Sequence, residues 1–122
     1  MIPVMFDDTK EELEDSLRVL NGVLLTGGGS DIADHETNLL TQYGQAVKTI
    51  LDHSQREMQA GRFFPVWGTC LGYEAIQVVL TNNTKSLGHS NARYVNLKLS
   101  FTENAKTSRL FKDLNPELAS AV

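Results

Sequence analysis

The 122-residue sequence predicts an α/β domain, a mainly parallel sheet with helices packed on both faces. Two observations predict it. Short apolar runs at residues 1–6 (MIPVMF), 22–26 (GVLLT) and 63–67 (FFPVW) alternate with longer segments of helical periodicity. The second and third runs each lead into glycines, 27–29 and then 68 and 72, where a buried strand must turn into the next element. In such sheets ligands gather beyond the carboxyl ends of the strands, and both glycine turns lie at that edge.

Taken in order, Met1 to Phe6 reads as a strand. Thr9 followed by Glu12 has the pattern of a capping box, and Leu13, Leu17 and Leu20 keep one face of a helix over residues 10–20. Asn21-Gly22 stops it. The run 22–26 is apolar throughout, as expected of a strand buried on both faces. Residues 37–60 form the longest helical pattern, with Leu39, Leu40, Tyr43, Val47, Ile50, Leu51 and Met58 on one face and Gly61 closing it. A strand at 63–67 leads into Gly68-Thr69-Cys70-Leu71-Gly72. Ala75, Ile76, Val79 and Leu80 then mark a helix that ends in the polar turn 81–85. Residues 94–101 (YVNLKLSF) alternate like a strand, and 107–113 are expected to form a short helix.

Composition excludes several classes. Eleven Lys and Arg stand against fifteen Asp and Glu, a net charge of −4 with no basic cluster, which argues against nucleic-acid or anionic-membrane binding. No apolar run approaches the length of about 18 residues that a bilayer crossing needs. One cysteine makes no internal disulfide.

That cysteine is the sharpest chemical feature. Gly68-Thr69-Cys70-Leu71-Gly72 has the Gly-x-nucleophile-x-Gly form of a strand–turn–helix elbow, with an apolar strand before it and a helical pattern after it. Glycines are needed because neighbouring backbone crowds such a turn. The positive end of the following helix favours an anionic nucleophile, and the Leu71 N–H is expected to serve an oxyanion. The plain alternative is a small buried hydrophobe. Gly27-Gly28-Gly29 fits no phosphate-binding pattern, since position 32 is Ile. It leaves a strand at the same sheet edge as Cys70, so the Gly28 N–H is the expected second donor. Glu74 lies one helical turn past Cys70, on the same face, where a carboxylate accepts hydrogen bonds from a substrate ammonium or amide. His35, His53 and His89 occupy no position expected of a base, and His53 falls on the polar side of its helix. Asn82-Asn83-Thr84 is an N-glycosylation sequon, with Asn82 the acceptor if the protein enters the secretory route.

The stretch Phe63-Phe64-Pro65-Val66-Trp67-Gly68-Thr69-Cys70-Leu71-Gly72-Tyr73-Glu74 closely resembles the nucleophile segment of the γ-glutamyl hydrolases, within the class I glutamine amidotransferase-like superfamily. Asn21 to Gly28 resembles the same family's oxyanion strand and turn, and 99–102, 108–111 and 116–118 resemble its middle region. The resemblance implies a three-layer α/β/α fold of flavodoxin-like type. It implies Cys70 as nucleophile, Leu71 and Gly28 as oxyanion donors and Glu74 as a substrate-side residue. It further implies hydrolysis of γ-linked glutamate from folylpoly-γ-glutamates or other γ-glutamyl peptides through a thioester. No cofactor and no metal are implied, nor nucleic acid or a membrane span. Homodimers of the full-length enzyme and a lysosomal, vacuolar or secreted location are expected on the same ground.

Two departures shape the expectation. The family's catalytic histidine lies in a His-Pro-Glu segment, and no His-Pro occurs here. The chain is therefore expected to be a single partial domain, residues 1–122, lacking the family's first strand and helix and its C-terminal part. It is expected to be inactive alone. A glutaminase domain of an amidotransferase and a truncated, non-catalytic variant are the alternatives. Related glutaminases generally carry Gln where Glu74 stands.

Overall fold

In the computed structural model the described residues are 2–34, 36–88, 91, 95 and 100–113. The chain divides into two units, Met1–Gly88 and His89–Val122.

Among the described residues, the first unit holds three α-helices and the two-stranded sheet. Helix α1 spans Lys10–Arg18. The capping box forms as expected: Glu12 N–H donates to Thr9 Oγ1 at 3.3 Å, and Thr9 N–H donates to Glu12 Oε2 at 2.9 Å. Leu13 and Leu17 are buried, and Leu20 packs against them from the turn that follows. Strand β1, Val23–Leu25, pairs in parallel with β2, Val66–Gly68, matching Val23 to Val66, Leu24 to Trp67 and Leu25 to Gly68. Between them runs α2, Gln42–Gln59, and after β2 comes α3, Leu71–Thr81. Helix α1 packs on α2, α3 packs on both strands, and α2 touches β2 and α3. The core is Leu13, Leu17, Leu25, Val47, Phe64 and Ala75 with their neighbours, and Leu17 and Val47 are its largest fully enclosed side chains. This is a small α/β unit with a two-stranded parallel sheet.

Several expectations change. Residues 2–5 form no strand; Asp8 N–H donates to the Met5 carbonyl and Met5 N–H to Asp8 Oδ2, so local turn bonds replace sheet pairing. Helix α2 begins at Gln42, five residues later than periodicity suggests. Residues 36–41 are held by Asp34, whose Oδ1 accepts from the Glu36 and Thr37 N–H groups, and by a bridge between Ala33 and Leu40. Asn38 turns the chain there with φ 56°. Strand β1 is buried on one face only: Leu24 and its partner Trp67 are 51% and 55% exposed.

In the second unit, the strand expected at 94–101 lies outside the described residues except for Val95, Ser100 and Phe101, which are not in a strand. The helix expected at 107–113 is instead a 3-10 turn over Glu103–Thr107 followed by irregular turns, with Phe101 edge-on to Phe111 at 5.4 Å.

Candidate active site

Strand β2 delivers the chain into a turn that has room for no Cβ at its two glycines. A Cβ on Gly68 would lie 2.6 Å from backbone atoms of Gly72 and Tyr73. One on Gly72 would meet the backbone of Leu25 at the end of β1, where the carbonyl carbon is 2.7 Å away. Glycine at both positions lets the backbones of β2, α3 and β1 come this close. Thr69 N–H closes the junction by donating to the Leu25 carbonyl at 2.9 Å.

Cys70, between the two glycines, takes φ 53° and ψ −119° as the residue capping α3. A side chain with positive φ costs of order 1–3 kcal/mol, and such strain clusters at functional sites. Its thiol is exposed. The first turn of α3 closes beneath it: the Gly72 N–H donates to the Thr69 carbonyl at 3.0 Å, and the Tyr73 and Glu74 N–H groups donate to the Cys70 carbonyl at 2.9 and 3.1 Å. The Leu71 N–H, at the first helical position, has no carbonyl of its own helix to serve. Leu71's side chain is buried in the core.

The glycine-rich turn leaves β1 directly against this elbow. A Cβ on Gly27 would lie 3.3 Å from Cys70 Cβ and 3.8 Å from its Sγ, and one on Gly28 would lie 3.3 Å from Leu71 Cδ2. The tertiary structure thus brings together Gly28, Cys70 and Leu71, which are far apart in sequence. Glu74 is exposed and lines an open cleft of about 250 Å³ together with Ser30, Asp31, Leu71 and Lys85. Asn82 is not brought to this site. It is the left-handed C-cap of α3, φ 48°, at the opposite end of a helix roughly 17 Å long at 1.5 Å per residue.

His53 is not the solvated side chain expected. It is half-buried and edge-on to Phe64, with ring centroids 4.7 Å apart. His35 and His89 lie outside the described residues. Among the described residues no three His, Cys, Asp or Glu side chains cluster as metal ligands, and no helix is long and apolar enough to cross a membrane.

Sequence reasoning missed two contributors. Gly27, rather than Gly28, is the residue packed on the cysteine. Thr41 caps α2 and also holds the far end of the glycine-rich loop: its Oγ1 accepts from Gly44 N–H at 3.2 Å and lies 2.6 Å from the Asp31 carbonyl. A Thr just ahead of a polar helix start is a recognisable N-cap signal. It was hidden here because Leu39 and Leu40 extend the helical periodicity backwards.

Taken together, a positive-φ cysteine between two crowded glycines, at a strand-to-helix turn against a second glycine loop, marks a small α/β unit with a strained, exposed cysteine at the carboxyl end of its parallel strands. No protein-family model matches the chain. Over its whole length the chain is homologous to γ-glutamyl hydrolases. It is 34% identical over 122 residues to the γ-glutamyl hydrolase of Rattus norvegicus, covering 36% of that protein. It is 31% identical over 119 residues to γ-glutamyl hydrolase 1 of Arabidopsis thaliana, covering 32%, and 30% identical over 118 residues to the γ-glutamyl hydrolase of Homo sapiens, covering 35%. The chain spans about a third of the length of the curated relatives it matches.

Proposed function

We propose that these residues form the nucleophile portion of a γ-glutamyl hydrolase, in a class I glutamine amidotransferase-like domain. The observation that supports this most directly is the conformation of Cys70, exposed at φ 53° between Gly68 and Gly72 with the Gly27-Gly28 turn against it. The Cys70 thiolate attacks the carbonyl carbon of a γ-glutamyl amide, and the carbonyl π electrons move to oxygen. The N–H groups of Leu71 and Gly28 receive that oxyanion. Collapse of the intermediate breaks the C–N bond, the departing amine takes a proton, and a thioester to Cys70 remains. Water then hydrolyses the thioester, releasing the γ-carboxyl and restoring the thiol. Glu74 accepts an N–H from the substrate in the adjoining cleft. The base that removes and returns the protons falls, on this reading, in the part of the relatives' length that the chain does not span.

The substrate class is folylpoly-γ-glutamates or related γ-glutamyl peptides. A lysosomal, vacuolar or secreted location, N-glycosylation at Asn82 and homodimerisation of the complete enzyme belong to the same proposal and rest on the relatives and the sequon.

Two experiments test it. A γ-glutamyl p-nitrophenyl ester, whose leaving group departs without a proton, should acylate Cys70 on the chain itself, and excess γ-glutamyl peptide should protect it. A chimera in which residues 1–122 replace the matched stretch of the rat relative should release glutamate from folylpoly-γ-glutamate and lose that activity with Cys70→Ala. Activity that survives Cys70→Ala would overturn the reading.

A further inference from the structure

We propose that Thr41 is a positioning residue for the reaction: its single hydroxyl ties the N-terminus of α2 to the loop that carries Gly28, and so fixes the oxyanion-binding amide relative to Cys70. The proposal rests on the hydrolase reading above and extends it to a residue outside the elbow.

The loop from Gly27 to Asp31 has one firm attachment at its start, where Thr69 N–H donates to the Leu25 carbonyl. At its end the side-chain hydrogen bonds come from Thr41. Thr41 Oγ1 lies 2.6 Å from the Asp31 carbonyl and 3.1 Å from that of Ile32. Thr41 N–H donates to the same Ile32 carbonyl at 3.1 Å. With one hydroxyl proton, the short contact to Asp31 is the donor bond, and the Ile32 carbonyl is served by the amide. The lone pairs of the same oxygen accept from Gly44 N–H at 3.2 Å, which caps the helix. Gly44 makes this junction fit, because a Cβ there would collide with the Ile32 carbonyl. Ile32 itself is buried in the core, so the end of the loop is anchored both by packing and by Thr41.

Thr84 adds a second tie, donating from Oγ1 to Asn38 Oδ1 at 2.8 Å, but it holds the hairpin beyond the loop rather than the loop. On the side of the loop that leads to α2, Thr41 holds the chain three residues from Gly28, at the Asp31 carbonyl. An oxyanion donor depends on being fixed before charge develops; losing one such donor costs about 10²–10³ in rate, so loosening one should cost less.

The two jobs of Thr41 can be separated chemically. Aspartate caps a helix as well as threonine does but has no proton to give the Asp31 carbonyl. Serine keeps both functions. We therefore compare the chain with Thr41→Asp and Thr41→Ser, using Thr9→Asp as a control at the remote cap of α1. Cys70 labelling is measured with two reagents. A γ-glutamyl p-nitrophenyl ester acylates the thiolate through a tetrahedral oxyanion and releases p-nitrophenolate, whereas iodoacetamide alkylates by direct displacement of iodide and forms no oxyanion. Thr41→Asp is expected to slow acylation by the ester about tenfold while leaving the iodoacetamide rate within about twofold. Thr41→Ser should restore it, and Thr9→Asp should change neither. Equal slowing with both reagents, or no slowing with either, would overturn the positioning role.

Amide hydrogen exchange at residues 27–31 gives a readout independent of the proposed chemistry. Faster exchange there in Thr41→Asp, with α2 still protected, is expected even if the ester does not acylate Cys70. That outcome would sink the hydrolase reading and leave the clamp standing. Unchanged exchange in the loop would sink the clamp itself.

Discussion

Gly27 packs on Cys70 so closely that an added methyl would lie 3.3 Å from the cysteine's Cβ and 3.8 Å from its sulfur. Two glycine-rich turns, separated by the whole of α2, therefore share one small space at the end of a two-stranded parallel sheet. The roof over the thiol is bare backbone, and bare backbone is what leaves amide groups available to a developing negative charge.

Gly27→Ala should fold, because the neighbour it meets has to give by only a few tenths of an ångström; a cost of about 1 kcal/mol is expected. The new methyl shields Sγ, so iodoacetamide should alkylate Cys70 at least about threefold more slowly than in the parent chain under conditions where both are folded. An unchanged alkylation rate would contradict the packing of these two residues.

Gly72→Ala differs in kind. Its Cβ would strike the carbonyl end of β1, which is fixed by the Thr69–Leu25 bond and has nowhere to go. A loss of at least about 3 kcal/mol, or of the cooperative transition altogether, is expected in urea unfolding followed by circular dichroism.

Leu17 is completely enclosed, whereas Val19, two residues on, is 74% exposed. Leu17→Ala should cost about 2–5 kcal/mol and Val19→Ala less than about 0.5 kcal/mol by the same measurement. Similar losses at both would mean that the face of α1 is wrongly assigned.

Thr9→Ala removes the hydroxyl half of the capping box on α1, the bonds between Thr9 Oγ1 and Glu12, and leaves the backbone amide at position 9 to donate to the Glu12 carboxylate. A loss of about 1 kcal/mol is expected, with amide exchange quickening in the first turn of α1 before any other helix responds.

The acid limb of stability should depend on Glu57. Arg62 donates to it through two guanidinium nitrogens, at 2.5 and 2.7 Å, and the hydrogen bond from Arg62 holds the carboxyl below the ordinary glutamate value of 4.5. A lowered carboxyl binds its proton less readily in the folded chain than in the unfolded one. Its contribution is therefore complete above the unfolded value and disappears as pH falls through the folded one. Melting temperature followed downward from neutral pH should fall less steeply below pH 4.5 in Glu57→Gln than in the parent chain. Parallel curves would remove the pair from the account.

Much of the site was legible in the sequence because its requirements are local. Gly68 and Gly72 flanking Cys70, with an apolar strand before and a helical face after, dictate a strained turn wherever they occur. Thr9 and Glu12 likewise close a capping box with no help from the rest of the chain. The start of α2 was misread because periodicity reports only which face is apolar. Leu39 and Leu40 continue that face, but the Asp34 carboxylate and the Ala33–Leu40 bridge capture the backbone for a different structure. The apolar run at 2–5 has strand-like composition, and strand pairing is a property of two segments, so composition alone could not supply it. His53 reads as polar-facing from its helix, and only the position of Phe64 on the neighbouring β2 approach gives its ring a partner.

By itself, then, the sequence determined α1 with its cap, the strands β1 and β2, the start of α3 and the glycines around the thiol, all set by residues within a few positions of one another. Tertiary structure alone decided that Gly27 would face Cys70, that one hydroxyl on Thr41 would hold the loop beside it, and that Leu24 and Trp67 would share an exposed face. Each of these depends on the parallel register of β1 and β2 or on the packing of α2 across them. Contacts between residues dozens of positions apart are fixed by how the elements pack, and no local pattern records them.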